Sequence, residues 1–167
     1  MYASVTEFDT ASADQALETL RVCAPIDSWA RDVVSHRPYG SFDALLTYAD
    51  TTARDWNPDD VMQAIAGHAR LGRKPTGSDA SAAHSRREQS SMGEVDTATA
   101  DRLAALQDQY AERFGHIFLV RAAGRDAAEI LRIIEERITR TPAQERATCA
   151  DELRQIAMLR LRQAFAA

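Results

Sequence analysis

Residues 97–120, TATADRLAALQDQYAERFGHIFLV, decide the fold. Leu103, Leu106, Tyr110 and Phe114 recur at helical spacing, which predicts a long amphipathic helix from Thr97 to Phe114. Gly115 is its natural C-terminal cap. The run that follows, Ile117-Phe118-Leu119-Val120, has residue types that favour a strand, but the chain offers no second strand to pair with it. It reads as a buried extended connector or a short helical turn. With no sheet to build, the fold class is all-α.

Working outward, the rest of the chain carries helix signals. Ser12 with Gln15 makes a capping box ahead of Ala16, Leu17, Leu20 and Val22, and Pro25 stops that helix. A short helix from Asp27 through Trp29, Val33 and Val34 ends before Pro38. Ser41 caps a third, with Phe42, Leu45, Leu46 and Tyr48. Asn57-Pro58-Asp59-Asp60 starts a fourth: a cap, a proline in the first turn, then acids against the dipole. This helix ends near Gly67. The stretch from Gly72 to Ala80 is the most loop-like in the chain, and a helix bearing Ser85 to Met92 follows it. Beyond the long helix, Ala127, Ile130, Leu131, Ile134 and Ile138 mark another, and Thr141-Pro142-Ala143-Gln144 opens the last. The expectation is a single domain over residues 1–167, a bundle of about seven to eight helices with no internal repeat.

Composition excludes several classes. A net charge of -5 without a basic stripe argues against a nucleic-acid partner. No apolar run approaches the ~20 residues that span a bilayer. The start, Met1-Tyr2-Ala3-Ser4-Val5, lacks the basic and apolar regions of a signal peptide, and Phe165-Ala166-Ala167 is not a peroxisomal tail, so a cytoplasmic protein is expected. Cys23 and Cys149 show no pairing pattern and read as buried, reduced thiols.

Few residues stand out chemically. On a wheel at ~100° per residue, Cys149, Leu153, Ile156, Ala157 and Ala164 form one stripe of the last helix, and Arg160 falls inside it. Such an arginine either grips an anion through paired hydrogen bonds or snorkels to water. Ser85, Glu88 and Gln89 share one helix face by their i, i+3, i+4 spacing, although Ser-x-x-Glu is also a capping box. His68, at a helix end, suits proton transfer near neutral pH, but a histidine there also serves the last carbonyls. His84 and Glu88 make half a metal site at most, with no further ligands at a zinc spacing, so no metal is expected.

Taken in order, further pieces join these: Cys23 with Trp29-Ala30, Arg37-Pro38-Tyr39, Ala53 with Trp56, and His68-Ala69-Arg70-Leu71-Gly72. Then come Ser85-x-x-Glu88-Gln89, Tyr110-x-x-x-Phe114-Gly115-x-x-Phe118, Gly124-Arg125, Glu129-Ile130-Leu131, Arg137 and Ile156-x-x-x-Arg160-Leu161. From Phe8 to Phe165 this pattern resembles the OHCU decarboxylases of urate breakdown. OHCU is 2-oxo-4-hydroxy-4-carboxy-5-ureidoimidazoline. The resemblance implies an all-helical, homodimeric enzyme without a cofactor, which converts this small-molecule substrate to (S)-allantoin and CO2. It implies that His68 is the acid/base group, that Glu88 positions ring or ureido N–H groups and relays a proton, and that Ser85 and Gln89 hold polar edges. It further implies that Arg160 binds the carboxylate or a ring oxygen, and that the backbone of Phe118, Leu119 and Val120 meets the ureido tail. Ala69 replaces the proline usual after the family's histidine: the small apolar group is kept and the backbone stiffness is lost. Two alternatives stand beside this reading. One is a non-catalytic helical module binding other purine-degrading enzymes. The other is a decarboxylase of a related imidazoline.

Overall fold

The computed structural model describes residues 2–72 and 95–165. Among these are eight α-helices and no strand: α1 (Val5–Thr10), α2 (Ala13–Cys23), α3 (Asp27–Ser35), α4 (Phe42–Thr52), α5 (Pro58–Ala66), α6 (Thr97–Phe114), α7 (Ala127–Ile138) and α8 (Pro142–Phe165). A 3-10 turn, Ala53–Asp55, follows α4. The fold is all-α, as the sequence predicts. α1 goes beyond that prediction; its signal was Ser4, whose hydroxyl accepts the Glu7 amide. No helix of the described residues is long and apolar enough to cross a membrane.

Local chemistry accounts for the boundaries. Ser12 Oγ accepts from Gln15 N at 3.3 Å, Ser41 Oγ from Ala44 N at 3.2 Å, and Asn57 Oδ1 from Asp59 N at 2.8 Å. Thr141 and Gln144 close a reciprocal box, with Gln144 Oε1 accepting from Thr141 N at 3.0 Å and Thr141 Oγ1 from Gln144 N at 3.3 Å. Each cap satisfies an amide that the first helical turn leaves open. Gly115 ends α6 at φ +77°, in the left-handed region that a side chain disfavours.

The residues divide into two compact units, Met1–Ala64 with Leu153–Ala167, and Ile65–Glu152. In the first, Phe8, Leu20, Ile26, Trp29, Leu45 and Ile156 are buried. Trp29 Nε1 donates to Ala49 O at 3.0 Å and its ring meets Trp56 edge-on. Arg37, one of the residues that carry the resemblance, has a structural role. Its Nη1 donates to Phe8 O and Ala11 O at 2.8 and 2.9 Å, and its Nε to Val34 O at 3.1 Å, which serves the carbonyl ends of α1 and α3 together.

The second unit packs α6 and α7 around Leu71, Leu103, Tyr110, Phe118, Val120, Ala122, Ile130 and Ile134. A charged group lies beside this core. Arg137, 1% exposed, donates from Nε and Nη2 to Glu145 Oε1 at 2.8 and 2.5 Å, and from Nη1 to Leu119 O at 2.8 Å. Tyr110 Oη donates to the same carboxylate oxygen, and Cys149 Sγ lies 3.3 Å from Arg137 Nη2. Burial pushes the Tyr110 hydroxyl well above its ordinary range, so it stays a donor.

Removing one member of such a pair strands its partner's charge out of water. Arg137→Met is therefore expected to lose about 3–5 kcal/mol of stability, and Arg137→Met with Glu145→Met to recover part of it. Urea denaturation of both variants measures this. A single variant within error of the native midpoint would refute the account.

Candidate functional site

The second unit brings two of the sequence-predicted segments together. After α5 the chain turns, with His68 N donating to Ile65 O at 3.0 Å. His68 and Ala69 are half-buried. Leu71 then enters the core beside Phe118 and Val120, its carbonyl accepting from Gln107 Nε2 at 3.2 Å. Arg70 Nη2 pairs with Asp108 at 2.8 Å, and Gly72 adopts φ +76°. A local bond at His68 precedes Ala69 and tertiary ties at Arg70 and Leu71 follow it, so the loop is constrained where a proline would have done so through its own ring.

Phe118, Leu119 and Val120 are buried and form neither helix nor strand, which selects the connector from the two readings left open. Such a backbone needs side-chain partners. Arg137 takes the Leu119 carbonyl, and Glu152 Oε2 accepts the Arg121 amide at 2.7 Å. Arg125 Nη1 lies 3.3 Å from the other oxygen of Glu152. Gln107, Glu145 and Glu152 belong to no motif in the sequence, and Arg137 enters only as part of a pattern. A helix wheel carries the missing signal: Arg137 follows Ile130 and Ile134 on the buried stripe of α7, and Glu145 precedes Cys149 and Leu153 on that of α8.

In the first unit, Arg160 is 1% exposed, on the face of α8 that also buries Ile156, Ala157 and Leu161. Snorkelling is thereby excluded. Its Nη1 lies 3.3 Å from Val22 O, in the last turn of α2, where open carbonyls and the helix dipole favour a cation. Its charge also reaches Cys23. Burial pushes that thiol from 9.0 up to about 12, and Arg160 pulls the other way. A cavity of about 550 Å³ in this unit is lined by His36, Pro38, Tyr39, Asp43 and Tyr48 among others, and contains none of the predicted site residues.

Ser85, Glu88 and Gln89 lie outside the described residues. Among those described, no group of three His, Cys, Asp or Glu side chains could hold a metal.

The family model for OHCU decarboxylase matches residues 9–162. The chain is 31% identical over 148 residues to the uric acid degradation bifunctional protein TTL of Arabidopsis thaliana, covering 87% of this chain and 46% of that protein. It is 30% identical over 134 residues to the 2-oxo-4-hydroxy-4-carboxy-5-ureidoimidazoline decarboxylase of Haloferax volcanii, covering 78% of this chain and 77% of that one. It thus spans less than half the length of the bifunctional relatives it matches. A crystal structure of OHCU decarboxylase in the presence of (S)-allantoin superposes with a TM-score of 0.74 at 25% identity, covering 94% of this chain and 100% of that one.

The burial of both thiols yields a test. An acid whose folded pKa is raised keeps its proton while the unfolded chain loses its own, so stability falls as pH rises from 9.0 towards about 12. Cys23 and Cys149 should resist a thiol reagent at neutral pH in native protein and react in denaturant. Fast labelling of the native protein would contradict the burial described.

Proposed function

The chain belongs to the OHCU decarboxylase family, and from this premise we propose that it decarboxylates OHCU to (S)-allantoin in urate breakdown. One observation supports the reading beyond family membership: Arg160 is buried on an apolar helix face, a guanidinium able to grip a carboxylate through paired hydrogen bonds.

The substrate's chemistry sets what the protein must do. The departing carboxylate sits on a ring carbon bonded to an imine carbon. When the C–C bond breaks, its electron pair flows into that C=N, and CO2 leaves. The substrate is its own electron sink, so the proposed reaction uses no cofactor. His68 assists cleavage as the acid/base group, through the substrate hydroxyl. Glu88 positions ring or ureido N–H groups and relays the proton, while Ser85 and Gln89 hold polar edges. Arg160 binds the carboxylate or a ring oxygen. The loop carrying Ala69 borders the substrate, and the backbone of Phe118, Leu119 and Val120 meets the ureido tail. Loss of CO2 leaves an enol, with its double bond between the two ring carbons and a proton taken up by the former imine nitrogen. The enol hydroxyl then gives up its proton to become the ring carbonyl, and delivery of a proton to the former imine carbon from one side sets the (S) configuration. We place the enzyme in the cytoplasm as a homodimer. Ala69, where the family carries proline, favours a second reading in which the substrate is a related carboxylated imidazoline.

The test is freshly generated OHCU followed by circular dichroism. Native protein should yield (S)-allantoin faster than the background, and His68→Asn should be ~10²–10⁴-fold slower while folding normally. Racemic product at the background rate from native protein would overturn the proposal. NMR of the products separates OHCU from a related imidazoline.

A further inference from the structure

We infer that Arg137 is a positioning residue for the ureido end of the substrate, acting through the backbone of the connector. The inference rests on the decarboxylase reading, in which Phe118, Leu119 and Val120 meet that group.

The connector has neither a helix nor a sheet to set its peptide planes, so side chains must set them. Two bonds of opposite sense flank Val120. On one side Arg137 Nη1 donates to the Leu119 carbonyl at 2.8 Å; on the other, Glu152 accepts from the Arg121 amide at 2.7 Å. Arg137 is itself held. Two of its nitrogens are fixed on Glu145 Oε1, which Tyr110 also engages. Its guanidinium carbon stands 4.7 Å from the centre of the Phe118 ring, and Tyr110 meets that ring edge-on at 5.2 Å. One cation therefore fixes both a backbone carbonyl and the neighbouring side chain of the segment.

A ureido group is flat and carries donors and an acceptor in one plane. Peptide groups recognise it only when their own planes are held, since small displacements weaken aligned hydrogen bonds steeply. Lysine at position 137 would keep the charge opposite Glu145, but its single ammonium lacks the planar fork that serves carboxylate and carbonyl together. The pair of methionines, Arg137→Met with Glu145→Met, removes both charges and releases the Leu119 carbonyl.

The experiment compares two ligands on three proteins. Allantoin carries the ureido tail, and hydantoin is the same ring without it. Calorimetry measures both on native protein, Arg137→Lys and the double methionine variant. Amide hydrogen exchange follows the connector. For folded variants, the expected result is about a tenfold loss of allantoin affinity with hydantoin affinity changed by less than about twofold, the size of one misplaced hydrogen bond. The Michaelis constant for OHCU should rise with little change in kcat, and the Val120 and Arg121 amides should exchange faster. If the double variant fails to fold, Arg137→Lys decides alone. Equal losses for both ligands, or for neither, overturn the inference. Native protein that turns over OHCU while Arg137→Lys keeps native allantoin affinity leaves the decarboxylase reading standing and this one refuted. Native protein that neither turns over OHCU nor binds allantoin refutes both.

Discussion

A guanidinium taken out of water must recover in the protein the hydrogen bonds it had in solvent, or its burial is prohibitive. Arg137 meets that demand with Glu145 on two nitrogens, the Leu119 carbonyl on a third, and the Tyr110 and Phe118 rings 5.9 and 4.7 Å from its central carbon. Each partner comes from a different part of the second unit: α6 supplies Tyr110, the connector Leu119 and Phe118, and α8 Glu145. The pair fixes how these pieces meet, which apolar packing alone leaves less sharply specified. That is how a stretch rich in Phe, Leu and Val is held buried without a sheet.

The same economy of charged side chains on irregular backbone recurs in the first unit. Asp9 accepts the Tyr39 and Gly40 amides at 3.0 Å, and Arg37 serves carbonyls from α1 and α3. Arg160 stands apart from these. It contacts the end of α2 through Val22 O, yet it projects from the most apolar stripe of its helix. Arg37 joins two helix ends, and that explains its presence structurally. Arg160 places its charge at the C-terminal end of α2, where the helix dipole favours a cation.

Much of the fold was legible because helix signals are local. The caps at Ser12, Ser41 and Thr141 and the glycine stop at Gly115 act within one turn, so their text is their mechanism. α1 escaped because six residues bury only Phe8 and offer no periodicity to read. The candidate site was legible in a different way. Arg160 shows itself as a charge out of phase with its helix, and His68 by its chemistry. Arg137 and Glu145 give the same out-of-phase signal, yet each becomes intelligible only as the other's partner.

The sequence by itself determined the class of the fold, the start and stop of most helices, and the membership of a family whose motifs run from residue 9 to 162. These are set by interactions among neighbours in the chain or by ordered spacing along it. Only the tertiary structure decided that Ile117 to Val120 is a connector, that Arg160 does not reach water, and that the loop around Ala69 is tied down by Gln107 and Asp108. Those outcomes depend on groups tens of residues apart, and the free energy of burying a polar group is fixed by the partner that meets it there.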